Sequence, residues 1–564
     1  MEELLSENNL YFVESEEKYR SVLTNVKIKK GTLILSSPAM GLVLMESVRQ
    51  DYCHQCLSLL QSKNKNRCSR CKVAHYCSRE CQVKAWKAGH KYTCKLWQEK
   101  KLFDNDIMDV DLLVQVALKI HRTSEKEGQK SNKKDETTKA KDQHKKSSSS
   151  KEEKEEVGSM APDKIKDIQE SQETLSKVSW AEKEAAINRE AFLSLMTHQD
   201  KIEFNEWKYL RDMAQAVLLI TPELKEKGVT ESELIEHLLR FKCNNFVYHD
   251  TQLFGIAEAA FPVGSLFNHS CRPNATLYYH EGRQIVRAMR DIARGEEVTI
   301  TYTDVMNART TRQKLLKEKY KFECRCERCQ EEGHGLDQKL IALEEEEEGK
   351  EKGEKEKEKE KDGDREKKEK EDKEKDFAWI KKQFNLSHSH SHTTEEISLH
   401  TLLNPQPLPA AKMEKIMKAV EEAPLLKLMV TVATKLLPVM KGIMDEDEAF
   451  GKVHEEVVEA IEPVHLKTFT RVCQYTYHCI DEGAYQEAAY AAVYVLMVYL
   501  VFLDRHHPLT GLQWLTVGKL VWNCGDEYRK EAVYALEQAK RVIKVAEGRS
   551  DVLEEIENLI QQFS

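Results

Sequence analysis

The sequence predicts an α+β fold with a metal-stabilised insertion and an all-helical C-terminal part. Three observations predict it. Strand-length apolar stretches occur at 10–47 and return at 243–304. Ten of the 15 cysteines fall into two tight groups. From about Pro409 to the end, apolar residues recur with helical spacing.

Charge looks at first too abundant for packed domains. The 564 residues carry 87 Lys+Arg and 96 Asp+Glu, and 32% of residues are charged. Residues 344–376 hold 18 acidic and 12 basic side chains, and residues 121–160 hold 9 and 11. Without these tracts 133 of 491 residues are charged, near the globular average of about 25%. That remainder suits roughly two to four domains with a buried core. Its net charge, −9 less the −6 and +2 of the tracts, is −5, so no general field attracts nucleic acid.

The N-terminal residues are acidic and lack the apolar core of a secretory leader. The longest uncharged apolar run, Ala488 to Leu503, has 16 residues, short of the roughly 18–20 that span a bilayer. Cysteines in such a chain indicate a reducing compartment, where thiols hold metal. A soluble cytoplasmic or nuclear protein without a membrane partner is expected.

Leu10–Val13, Thr32–Leu35 and Gly41–Met45 read as strands, with a turn at Lys29-Lys30-Gly31. The first cysteine group follows: Cys53, Cys56, Cys68, Cys71, Cys77, Cys81, His90 and Cys94. Eight ligands make two tetrahedral zinc sites. A segment this short has little core, and each ion would supply on the order of 10 kcal/mol of folding energy. Between Cys53 and Cys94 lie nine Lys/Arg and one Glu. Two Zn²⁺ and seven thiolates leave this face near +5, a surface suited to weak DNA contact or to docking.

Residues 97–119 and 179–241 have helical periodicity, and His121–Val178 between them reads as a polar, disordered loop. Short strands and turns return at 243–304, and a charged helix is expected at 306–322. It leads to Cys324, Cys326 and Cys329, three thiols that need a fourth ligand. Cys271, in Asn268-His269-Ser270-Cys271 followed by Pro273-Asn274, is the best candidate. The charged tract and the alternating Ser/His stretch Ser387–His392 read as a linker. Gly483–Ala488 and Gly525–Ala532 repeat at 42 to 44 residues, which predicts paired helices that approach closely at small residues.

The first cysteine group, with Ala74-His75-Tyr76-Cys77 and Trp86 before His90, closely resembles the MYND zinc finger. Asn268-His269-Ser270-Cys271, Gly295-Glu296-Glu297 leading to Tyr302, and the Cys324 group stand in the order of SET-domain lysine methyltransferases. With the finger inserted after the first strands, the chain resembles the SET-and-MYND (SMYD) family. The implied division is an N-terminal SET piece at 1–50, the finger at 51–96, and a helical insert at 97–242 containing the loop. The SET core at 243–305 follows, then a post-SET zinc region at 306–332, a linker at 333–400 and a TPR-like domain at 401–564.

The resemblance also implies chemistry. Zinc pairing would be interleaved: Cys53, Cys56, Cys77 and Cys81 on one ion, and Cys68, Cys71, His90 and Cys94 on another. S-adenosylmethionine would be held by Asn268 and by the backbone of His269, with Asn244 toward its methionine part, His198 approaching it from the helical insert and Phe322 on its adenine. Tyr302 and Tyr320 would line a channel for a lysine of a protein substrate. The finger would dock proline-containing peptides, and a monomer is expected. One element departs from the family. Its N-terminal Gly-x-Gly corresponds here to Lys18-Tyr19-Arg20-Ser21, without glycine, where Arg20 becomes a candidate partner for the cofactor carboxylate. The sequence thus supports a lysine methyltransferase and, as alternative, a non-catalytic adaptor built on the same domains.

Overall fold

Gly255–Ala260 is rich in small residues, which lets bulkier strands lie against it on both sides. It is the centre of a three-stranded antiparallel sheet, with Gly41–Leu44 on one edge and Asn245–His249 on the other. Leu42 and Phe246 both lie opposite Ala259. The computed structural model describes residues 1–15, 19–61, 66–99, 106–124, 180–330, 335–341, 362–384, 397–440 and 447–563. They form two units, interleaved in sequence.

The first unit comprises Met1–Leu23, Leu35–Phe267 and Leu277–Val286. Its sheet buries Leu44, Tyr248, Ile256, Phe261 and Tyr279 in one cluster. The helix at 106–124 is buried on most of its surface, with Ile107, Val110, Leu113, Val114 and Leu118 fully enclosed. A Cβ at Gly41 would come within 2.9 Å of Leu112, so this strand and helix meet closely only because the residue is glycine. The helices at 180–193, Phe204–Ile220 and Glu231–Asn244 complete the insert. Thr230 caps the last of these by accepting the Glu233 N–H at 3.2 Å.

Residues 121–124, expected to open the loop, instead continue the helix. Arg122 is held there by a two-pronged grip on Glu223, at 2.7 and 2.8 Å. Most of that loop, at 125–179, lies outside the described residues, as does Ser387–His392.

The second unit comprises Thr24–Ile34, Asn268–Thr276 and Arg287–Ser564. Asn268–His269 pairs in parallel with Thr299–Ile300. Helix Arg309–Tyr320 follows, then an array running from Leu399–Leu402 to Ser550–Phe563. Val305 and Met306, just beyond Tyr302, share the buried cluster of this array. Arg287 donates to the carbonyls of Gly31 and Val545, tying the early segment to the late helices.

Three expectations change here. The expected linker 333–400 contains a helix, Asp362–Phe384. Phe377, Ile380 and Phe384 lie on one face at helical spacing and pack into the array, so a highly charged segment still carries an apolar seam. Helix Tyr485–Phe502 is, at 18 residues, long and apolar enough to cross a membrane, two residues beyond the run counted from sequence. Its most apolar window is 78% buried inside the protein, where a central helix must be apolar all round. Gly483 and Gly525 do not mediate close packing: both have positive φ, at +71° and +134°, and serve turns. The close approach comes at Gly511 and Gly518, where an added Cβ would sit 2.8 Å from Ile543 and from Leu536, and at Ala532, the small residue ending the repeat, whose carbonyl would be 3.3 Å from a Cβ at Gly518.

Candidate functional site

Tight turns and short helices gather the cysteines into three clusters. Cys53 accepts the Leu57 N–H, and Cys68 accepts that of Lys72, whose positive φ closes the turn. Ser78 caps helix Arg79–Ala85 by accepting from the Cys81 N–H at 3.2 Å, which aims Cys81 back at Cys77. The resulting sets are Cys53, Cys56, Cys77 and Cys81; Cys68, Cys71, His90 and Cys94; and Cys271, Cys324, Cys326 and Cys329. Within each, the ligand atoms lie within 4.8 Å of one another. These are the groupings expected from the sequence and its resemblance.

The spacing fits a tetrahedral ion. Zinc–sulfur bonds of about 2.3 Å place neighbouring sulfurs about 3.8 Å apart, and a sulfur–nitrogen edge is about 3.6 Å. The Sγ atoms are 3.5 Å apart for Cys56 and Cys77, 3.8 Å for Cys68 and Cys94, and 3.6 Å for Cys271 and Cys329. Cys71 Sγ lies 3.6 Å from His90 Nε2. In the third cluster, neighbouring thiols push Cys271 up and pull Cys326 down, as expected where anionic sulfur is forced on a crowded site.

Beside the third cluster stand four aromatic rings. Tyr302 and Tyr320 lie 4.8 Å apart between centroids, and the Tyr320 hydroxyl donates to the Tyr302 carbonyl at 3.4 Å. Phe322 meets Tyr302 edge-on at 6.4 Å, and His269 lies 5.5 Å from Tyr302 and 6.2 Å from Phe322. Tyr302, Tyr320 and Phe322 are half-buried and pack against the third cluster. Burial pulls the His269 imidazole down to about 4, so the ring is neutral. Its Nδ1 accepts the Tyr302 N–H at 3.0 Å, leaving the proton on Nε2, 3.2 Å from Cys271 Sγ.

Asn268 donates to the Glu297 carboxylate at 2.8 Å. Asn274, fully enclosed, donates to Glu296 and to the Glu297 carbonyl and accepts the Thr299 N–H. The Asn268–Asn274 loop is thereby stitched to the strand that leads to Tyr302. The second unit thus brings together Asn268, His269, Tyr302, Tyr320, Phe322 and the four cysteines.

Arg20, His198 and Asn244 belong to the first unit. The Arg20 guanidinium lies 5.0 Å over the Phe12 ring and donates to the Ser194 hydroxyl at 3.2 Å, so part of it is engaged within the fold. His198 has left-handed φ and opens the short turn Gln199–Lys201. Asn244 ends helix Glu231–Asn244, donating to the Arg240 carbonyl at 2.8 Å.

Sequence reasoning missed Arg312, Arg328 and Asp337. Arg312 is fully buried and grips Asp337 at 2.9 and 2.6 Å, and Arg328 reaches the same carboxylate at 2.9 Å. Arg312 in a charged helix, and Arg328 and Asp337 in the short turns after it, look like solvated surface, and no local pattern sets them apart.

Residues 20–303 match the family model described as SET domain. The chain is 25% identical over 547 residues to histone-lysine N-methyltransferase ASHR1 of Arabidopsis thaliana, covering 95% of this chain and 91% of that protein. It is 26% identical over 311 residues to human histone-lysine N-methyltransferase SMYD3, covering 55% of this chain and 59% of that protein. It is 26% identical over 302 residues to human N-lysine methyltransferase SMYD2, covering 53% and 55%. The human matches therefore span little more than half of those proteins. With the family model covering half of the chain and these relatives alongside it, the protein belongs to the SET domain family, in its SET-and-MYND branch.

Proposed function

We propose that the protein is a protein-lysine N-methyltransferase that uses S-adenosylmethionine. The observation that carries this reading is the tilted Tyr302–Tyr320 pair, packed beside Phe322 and His269 in a member of the SET domain family. When bound, the cofactor supplies an electrophilic methyl group on a sulfonium. Half-buried aromatic faces suit both a flat adenine and a positive sulfur. Phe322 would take the adenine, Asn268 and the His269 backbone would hold the cofactor, and Arg20, His198 and Asn244 retain the roles given by the resemblance.

The attacking lysine must be neutral, which at pH 7 costs roughly 4–5 kcal/mol from its free pKa of about 10.4. A narrow channel lined by Tyr302 and Tyr320 would lower that cost by stripping water from the ammonium. The Tyr320 hydroxyl, held on the Tyr302 carbonyl, fixes the two rings relative to one another. Positioning of this kind can supply roughly 7–11 kcal/mol of the barrier reduction. The three clusters would each hold a structural zinc, leaving no coordination position for catalysis.

The substrate would be a lysine of a histone or another protein, and the finger would dock proline-containing peptides. A monomer in cytoplasm or nucleus and a weak DNA contact through the basic finger complete the reading. Calorimetric titration with S-adenosylhomocysteine tests the core of it: saturable binding is expected, and no binding by folded, zinc-replete protein refutes it. A non-catalytic adaptor is the second reading, favoured by the lack of glycine in Tyr19-Arg20-Ser21. Radiolabelled methyl transfer to a protein array separates the two.

A further inference from the structure

Helix Arg309–Tyr320 is strongly basic, and Arg309, Lys314, Lys317 and Lys319 on it are exposed. Arg312 on the same helix is fully buried, and every one of its five N–H bonds has an acceptor. Nε donates to Cys271 Sγ at 3.2 Å. Nη1 donates to the Asn307 carbonyl at 2.6 Å and to Asp337 at 2.9 Å. Nη2 donates to Asp337 at 2.6 Å and faces Cys329 Sγ at 3.9 Å.

The local charge has a consequence. Buried Arg312 and Arg328 carry +2, and Asp337 offsets only one of them. Four neutral thiols would leave an unmatched buried cation, which is costly. A Zn²⁺ with four thiolates carries −2, and the Arg312 N–H groups point at two of its sulfurs. Cys271 receives a second donor. The Nε2–H of His269 faces its sulfur at 3.2 Å, while Nδ1 accepts the Tyr302 N–H. Cys271, His269 and Tyr302 therefore form one hydrogen-bonded line from the metal cluster to the tyrosine pair.

We propose that Arg312 and His269 are positioning residues of the four-cysteine site, which hold the Cys271 thiolate by hydrogen bonds and so let the metal keep Tyr302 in register. The proposal rests on reading that cluster as a zinc site. Groups that orient metal ligands typically change metal affinity by roughly 10–100-fold when removed. Their loss here acts on one cluster of three, and the eight finger ligands serve as an internal control.

The test uses the full-length, zinc-loaded protein under increasing chelator, with thiol alkylation mapped by mass spectrometry and amide exchange followed over 299–303. In Arg312→Met, Cys271, Cys324, Cys326 and Cys329 should become alkylated at roughly 10–100-fold lower chelator than in the parent protein. The seven finger thiols should keep their parental midpoint. In His269→Ala, amide protection at Tyr302 should fall even with three zinc ions bound. A parental midpoint in Arg312→Met, or undiminished protection of Tyr302 in His269→Ala, overturns the proposal. Should Arg312→Met expose the finger thiols as well, Arg312→Lys keeps the charge without the fork, and a parental midpoint there overturns it. A parent protein with metal in the finger but none in the four-cysteine cluster refutes the zinc reading itself.

Discussion

Glu547 is a carboxyl group placed where a carboxylate is unwelcome, and replacing it should stabilise the protein. It is 2% exposed at the end of helix Arg529–Ala546, and its Oε1 has no hydrogen-bond partner. Burial pushes it up to about 7, against an ordinary value of 4.5, despite Arg549 at 3.5 Å. The raised value means the folded state holds the proton more tightly than the open chain. Stability from this group is therefore fully present below pH 4.5 and is lost as pH rises through 7. Full ionisation then costs the fold about 3 kcal/mol.

Glu547→Gln removes the charge and leaves Arg549 paired with Asp551, to which it donates at 3.2 Å. The stability gain should be about 2 kcal/mol larger at pH 8 than at pH 5. Urea unfolding of parent and variant at both values reads the difference directly, and any constant cost of burying the amide cancels. A gain that does not grow with pH, or a variant less stable at pH 8 than at pH 5 relative to the parent, refutes the reasoning.

Gly518→Val should destabilise by about 1–3 kcal/mol in thermal melts, since its Cβ meets Leu536 at 2.8 Å and the Ala532 carbonyl at 3.3 Å. Gly483→Ala meets nothing within 4 Å and should cost only about 1 kcal/mol, from its φ of +71°. Tyr320→Phe removes the hydroxyl held on the Tyr302 carbonyl. Steady-state kinetics should then show kcat lowered on the order of 10–100-fold with S-adenosylhomocysteine affinity retained. A double-mutant cycle on Arg122 and Glu223 should give a coupling of about 1 kcal/mol in urea midpoints, given their partial exposure and two-pronged geometry.

The residues of the three cysteine-rich clusters were legible because chelation needs particular residue types at short, regular spacing, while the division of the first eight into two sets came from the resemblance. Even Cys271, 53 residues before Cys324, was reached by counting ligands. The close-packed glycines were not legible in the same way. Gly483 and Gly525 stood out by their repeat but serve turns, while Gly511 and Gly518, without a pattern, carry the contact. A glycine in sequence announces freedom of φ or freedom of approach, and only the neighbouring helix distinguishes them. The helix within the charged tract was hidden for a related reason, since three apolar residues at 377, 380 and 384 are a weak signal until a groove receives them.

The sequence by itself determined the residue types that gather in the three cysteine-rich clusters, the order of the motifs and hence the family, because these depend on covalent spacing and side-chain chemistry. Tertiary structure alone decided which charges are buried. Arg312 and Asp337 are 25 residues apart in a segment that reads as solvated surface, yet they meet in the interior beneath Cys271. Burial is a property of what packs around a residue, and an ion pair between distant residues leaves no periodic trace in the chain.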